Sequence, residues 1–101
     1  LYMSMDDNFK THKVYIDYPL NASSLKEMEG CITSLELAVG DVVVVDCTGM
    51  DYICSSGLRF FLKLYHDTAA KGGKMIIRGL HPLVKGVFDM SGFSHIFNIE
   101  D

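Results

Sequence analysis

What the chain lacks narrows its class first. It has no basic cluster: nine lysines and arginines stand against thirteen aspartates and glutamates, for a net charge of −4. A nucleic-acid binder needs a stripe of cations to neutralise phosphates, so nucleic acid is not expected as a partner. No apolar run approaches the ~20 residues that span a bilayer, so no membrane span is expected either. The polar start around Asp6-Asp7-Asn8 does not read as a secretory leader. The chain opens on Leu1, which places the translation start at Met3, Met5 or upstream. Cysteine is scarce. Cys31, Cys47 and Cys54 are odd in number and share no C-x-x-C spacing, which argues against a disulfide framework or a zinc site. Three free thiols fit a reducing cytoplasm. His12, His66, His81 and His95 show neither an i, i+4 pairing nor an H-E-x-x-H pattern, so no metal site is expected.

What is present points to one small α/β domain. The chain has 101 residues, 49% of them hydrophobic. That suffices for a single core burying roughly two-thirds of the unfolded chain's surface. Residues 1–8 read as a flexible tail and 9–101 as the domain. Lys13–Tyr18 alternates like a half-buried strand, stopped by Pro19, and Phe9 is a candidate for a preceding strand. Asn21 is placed to cap a helix in which Leu25, Met28, Ile32 and Leu35 recur at helical spacing. Gly40-Asp41 reads as a turn, and the run Asp41–Asp46 as a buried strand. A helix is expected over about Ser55–Ala70, with Leu58, Phe61, Leu62, Tyr65 and Ala69 on its core face and Phe60 and Leu64 at the margin. Lys71-Gly72-Gly73 stops it. Lys74–Arg78 is the next strand. His81-Pro82 opens a third helix whose apolar residues are Leu83, Val84, Val87, Phe88 and Met90, and Gly92 closes it. Ser94–Ile99 reads as the last strand. Strands alternating with helices mean a mostly parallel sheet with right-handed crossovers.

One stretch carries candidate chemistry. Tyr52-Ile53-Cys54-Ser55-Ser56-Gly57-Leu58 lies where a strand hands over to a helix, so free backbone N–H groups and the positive end of the helix dipole converge there. An oxyanion is at home in such a place. Ser55 and Ser56 are also favoured cap residues, so capping and phosphate carriage both stand open. Gly57 permits a close backbone approach. Cys54 would be a thiol nucleophile only in a loop such as C-x5-R, and only four residues separate it from Arg59. Asp46 and Asp51 flank the turn, where they cap it or, less economically, hold Mg²⁺. Phe60 and Leu64 read equally as core or as a docking patch.

From Val42 to Ile99 the sequence resembles a STAS domain of the anti-sigma factor antagonist family. Val43-Val44-Val45-Asp46 is similar to that family's central strand. Tyr52–Leu58 resembles its phosphorylation loop, D-S-[ST]-G-L. Lys71-Gly72-Gly73 resembles its helix-ending glycines. His81–Phe93 resembles its S-P-x-V-x-x-[LVI]-F-x-[ML]-[ST]-G-[LF] helix. The resemblance implies a STAS-type fold: a mixed, mostly parallel four- to five-stranded sheet with helices mainly on one face. It further implies partner switching without catalysis or cofactor. The unmodified protein binds an anti-sigma factor that is also a serine kinase, phosphorylation of Ser55 releases it, and a serine phosphatase resets it. On that reading Cys54, Ser56, Gly57, Leu58, Arg59 and Phe60 surround the acceptor on the partner-binding surface. The chain departs from the family at Cys54, where the loop Asp is replaced. It departs again at Tyr18-Pro19-Leu20-Asn21, which stands in place of G-x-[LI]-D. The family's C-terminal helix is not seen, which would leave apolar surface for the N-terminal tail or a second subunit, so a homodimer stands open. The alternatives are a non-phosphorylated STAS scaffold or transporter-associated subunit, and a small thiol enzyme using Cys54.

Overall fold

The computed structural model describes residues 9–33 and 35–100. The tail expected over residues 1–8 lies outside the described residues. Four strands and three helices follow one another as β1 (Thr11–Tyr15), α1 (Ala22–Thr33), β2 (Val42–Asp46), α2 (Ser55–Ala70), β3 (Lys74–Arg78), α3 (Pro82–Ser91) and β4 (Asn98–Glu100), with a 3₁₀ turn at Phe93–His95 before β4. The strands lie in the order β1-β2-β3-β4, and each pair is parallel. Among the described residues no antiparallel strand joins them.

This order has a geometric consequence. Each crossover steps in the same direction, so three right-handed crossovers put all three helices on one face of the sheet. The strands show it. Val43 and Val45 on β2 and Met75 and Ile77 on β3 are buried, while Val42, Val44 and Ile76, which alternate with them, are only half-buried. Valine and isoleucine suit this pleated, half-covered surface because their branched side chains pack across neighbouring strands. Phe61 of α2 and Phe88 of α3 meet edge to face above the buried residues, with ring centroids 6.0 Å apart. Edge-to-face contact sets the positive ring edge against the negative ring face.

Several sequence expectations need correction. β1 starts and ends earlier than Lys13–Tyr18, and Phe9 belongs to no strand; its ring packs over Gly40. α2 has the expected bounds but is rotated: Gly57, Phe61, Leu64 and Thr68 are its buried residues, so Leu64 is core and Ala69 is exposed. Leu35 falls beyond the end of α1. On α3 only Val84 and Phe88 are buried, whereas Leu83, Val87 and Met90 face outward. Ser94–Ile99 is mostly the 3₁₀ turn and its exit, leaving a short β4. On α2 and α3 the hydrophobic spacing is compatible with two adjacent faces, and packing against the sheet selects one.

Candidate functional site

The carboxyl ends of β1 and β2 are tied together by backbone. Leu20 and Ile53 form an isolated parallel bridge. The Leu20 amide donates to the Tyr52 carbonyl at 2.8 Å, and the Cys54 amide donates to the Leu20 carbonyl at 2.9 Å. Leu20 itself is fully buried. Tyr18-Pro19-Leu20-Asn21 therefore has a clear duty: it clamps the serine loop through Leu20 and starts α1 through Asn21. Asn21 Oδ1 accepts from the Ser23 and Ser24 amides, each at 3.0 Å, as an N-cap should. The duty of Leu20 was missed in the sequence. A lone leucine between Pro19 and a capping Asn21 was the signal available.

Beyond this clamp α2 begins. Cys54 occupies the N-cap position in extended conformation (φ −84°, ψ 167°) and makes no side-chain capping bond. Neither serine is the cap; both stand in the first turn. The first α2 bond runs from the Leu58 amide to the Cys54 carbonyl at 3.1 Å. The amides of Ser55, Ser56 and Gly57 precede it and have no partner inside the helix. No acidic side chain sits in that turn to offset the positive helix end. The result is a set of first-turn N–H donors with no capping side chain among the described residues.

The candidate side chains divide by depth. Ser55 and Arg59 are exposed; Cys54, Ser56, Leu58 and Phe60 are half-buried; Gly57 is buried. The Ser55 hydroxyl has no hydrogen-bond partner among the described residues. Arg59 Nη2 donates to Ser56 Oγ at 3.4 Å. Gly57 serves the chain's own packing: a Cβ there would lie 2.9 Å from Ile53 Cγ1 and 3.0 Å from Leu20 Cδ2. Leu58 and Phe60 pack against the core. Phe60 also lines a cleft of about 690 Å³ with Ile32, Leu35, Leu37 and Leu64 beside the C-terminal half of α2.

The acidic and thiol candidates take quieter places. Asp46 Oδ1 accepts from the Thr48 hydroxyl at 2.6 Å and the Thr48 amide at 3.0 Å, and these bonds hold its carboxyl below the usual range. Asp46 is thus occupied with its own turn, and Asp51 is exposed. Among the described residues no group of three or more His, Cys, Asp or Glu side chains is arranged to hold a metal ion. Burial pushes the Cys47 thiol up to about 12. No described helix is long and apolar enough to cross a membrane.

The chain is 39% identical over 57 residues to a Bordetella bronchiseptica protein named "Putative anti-sigma factor antagonist BtrV". That alignment covers 56% of this chain and 49% of the relative, so the chain spans about half the length of that relative. The STAS domain profile matches residues 4–101, nearly the whole sequence. With a parallel α/β sheet, helices on one face and the serine loop at the start of α2, the chain belongs to the STAS domain family.

Proposed function

We propose that the protein is a partner-switching regulator of the anti-sigma factor antagonist type, acting in the cytoplasm. STAS domains of this type are regulatory rather than enzymatic. Unmodified, the protein docks onto an anti-sigma factor that is also a serine kinase. The kinase transfers the γ-phosphoryl group of its nucleoside triphosphate to Ser55. The bond to the leaving diphosphate breaks as the bond to Ser55 Oγ forms, and the hydroxyl proton passes to a base of the kinase. A serine phosphatase hydrolyses the ester and resets the switch.

One observation carries this reading: Ser55 is an exposed, unengaged hydroxyl on the first turn of α2, next to backbone donors that no side chain caps. A phosphate there adds about −1.5 to −2 charge units and three acceptor oxygens. Those oxygens are well matched to free N–H groups, so the fold survives modification. The same charge opposes docking of any surface shaped for a neutral serine.

A second reading is favoured by Cys54, which stands where the family's loop has Asp: a scaffold whose Ser55 is never phosphorylated. An affinity capture from the native host decides between them, using wild type, Ser55→Ala and Ser55→Asp as baits. The switch requires a serine kinase held by wild type and Ser55→Ala and lost with Ser55→Asp. The same catch from all baits gives the scaffold.

A further inference from the structure

The structure points to a role for Arg59 that the family motif does not contain. We propose that Arg59 is the internal counter-ion of phosphoserine 55, swinging from Ser56 Oγ to the phosphate when Ser55 is modified. This deepens the partner-switching reading and rests on Ser55 as its acceptor. Positions 55 and 59 are i and i+4 on α2, so they stand about 6 Å apart along the axis on one face. Helical side chains lean toward the N-terminus, which directs an arginine at i+4 back over position i. The observed contact follows that lean: Arg59 Nη2 already reaches Ser56 Oγ, one residue short of the helix start. At 3.4 Å it is a long neutral-acceptor bond and gives way readily to a charge-assisted one. Both Ser55 and Arg59 are exposed, so the rearrangement needs no core movement.

Cys54 sharpens the argument. An aspartate at the N-cap would compete with phosphate for the Ser55–Gly57 amides and with it for Arg59. The thiol makes no capping bond and leaves both to the phosphate. The clamp also changes what phosphorylation does to a docking partner. The surface gains an anion and at the same time loses a presented cation, because the guanidinium turns inward onto the phosphate.

The test places phosphoserine at position 55 during translation, so no kinase is involved. ³¹P NMR then follows the second phosphate ionisation with pH at low salt. In the wild-type background the midpoint is expected about 0.4 pH units below that of Arg59→Ala, the shift of an exposed helical charge pair. Arg59→Gln, which keeps length and drops charge, is expected to match Arg59→Ala, and added salt to shrink the difference. A midpoint unmoved in both variants overturns the clamp while leaving the switch intact. A kinase absent from the affinity capture overturns the switch, and the ³¹P result stands apart from it.

Discussion

The two ends of α2 are built on opposite plans. At its C-terminal end the chain satisfies itself. The Lys71, Gly72 and Gly73 amides donate to the Thr68 and Ala69 carbonyls at 2.9–3.1 Å, and Thr68, itself buried, donates its hydroxyl to the Leu64 carbonyl at 2.7 Å. Gly73 lies hard against the Asp41 carbonyl. Asp41 in turn accepts from the Lys10 and Ala38 amides at 3.0 Å and faces His12 Nε2 at 2.8 Å. At the N-terminal end the first-turn amides have no capping side chain. α3 shows that the fold can close a helix start when nothing is to be bound there. His81 Nδ1 accepts from the Leu83 amide at 3.1 Å, and Pro82 removes one unsatisfied donor altogether. The contrast separates an end whose backbone groups are closed by the chain's own atoms from an end with no capping side chain, where the proposed phosphate would sit.

The largest effect is expected at the closed end. A Cβ on Gly73 would sit 2.1 Å from the Asp41 carbonyl oxygen, a backbone atom that cannot swing aside. Gly73→Val should cost about 3 kcal/mol, at the upper end for overpacking, measured by urea unfolding. A loss below about 1 kcal/mol would show that this end yields, and the comparison would lose its rigid half.

Acid probes the same end. The bonds from His12, Lys10 and Ala38 hold the Asp41 carboxyl at about 2, against 3.8 for an ordinary aspartate. A carboxyl depressed by folding stabilises the fold in full when it is ionised in both states, and loses that contribution as pH drops from the unfolded value through the folded one. Its stabilisation is therefore complete above about pH 4 and lost as pH falls toward 2. Thermal unfolding from pH 5 to 2 should show this fall, shallower in Asp41→Asn. Asp46, lowered by Thr48, adds a residual slope of the same sign. An unchanged slope in Asp41→Asn would remove Asp41 from the account.

Much of this was readable in the residues. Strand β3 and helix α2 were found to the residue because charged or small residues bracket their apolar runs and Gly72-Gly73 ends the helix. The Asn21 and His81-Pro82 starts were legible because capping is local chemistry. The serine loop was legible as a place. What lay hidden depends on contacts between distant segments. The pairing of Leu20 with Ile53 and of His12 with Asp41 has no local signature. The face of α2 could not be told from its neighbour, since Leu58 and Leu62 fit the stripe as well as Leu64 and Thr68. A buried Thr68 in particular is explained only by its bond to the Leu64 carbonyl.

A smaller change should convert the open end into a closed one. Cys54→Asp supplies the missing acceptor and an anion at the helix start, and is expected to stabilise the unmodified protein by about 1 kcal/mol. His81→Ala is the mirror experiment and should cost about the same, since it strips α3 of its cap. With phosphoserine at 55 the Cys54→Asp gain should shrink or reverse, because two anions then share the same donors. Equal gains in both states would mean that the phosphate does not use these amides.

The smallest effect separates two adjacent hydroxyls. Ser56 is half-buried and makes only the long contact with Arg59, while Ser55 is exposed with no partner among the described residues. Ser56→Ala exchanges a weak bond for a better helix former, so stability should stay within about 0.5 kcal/mol. Phosphate incorporation by the host's kinase should persist in Ser56→Ala and vanish in Ser55→Ala, read by intact-mass spectrometry. The reverse pattern would move the acceptor one residue along the turn. Arg59 would then be its i+3 neighbour and already in contact, and the open end of α2 would owe its function to the side chain that now satisfies the arginine.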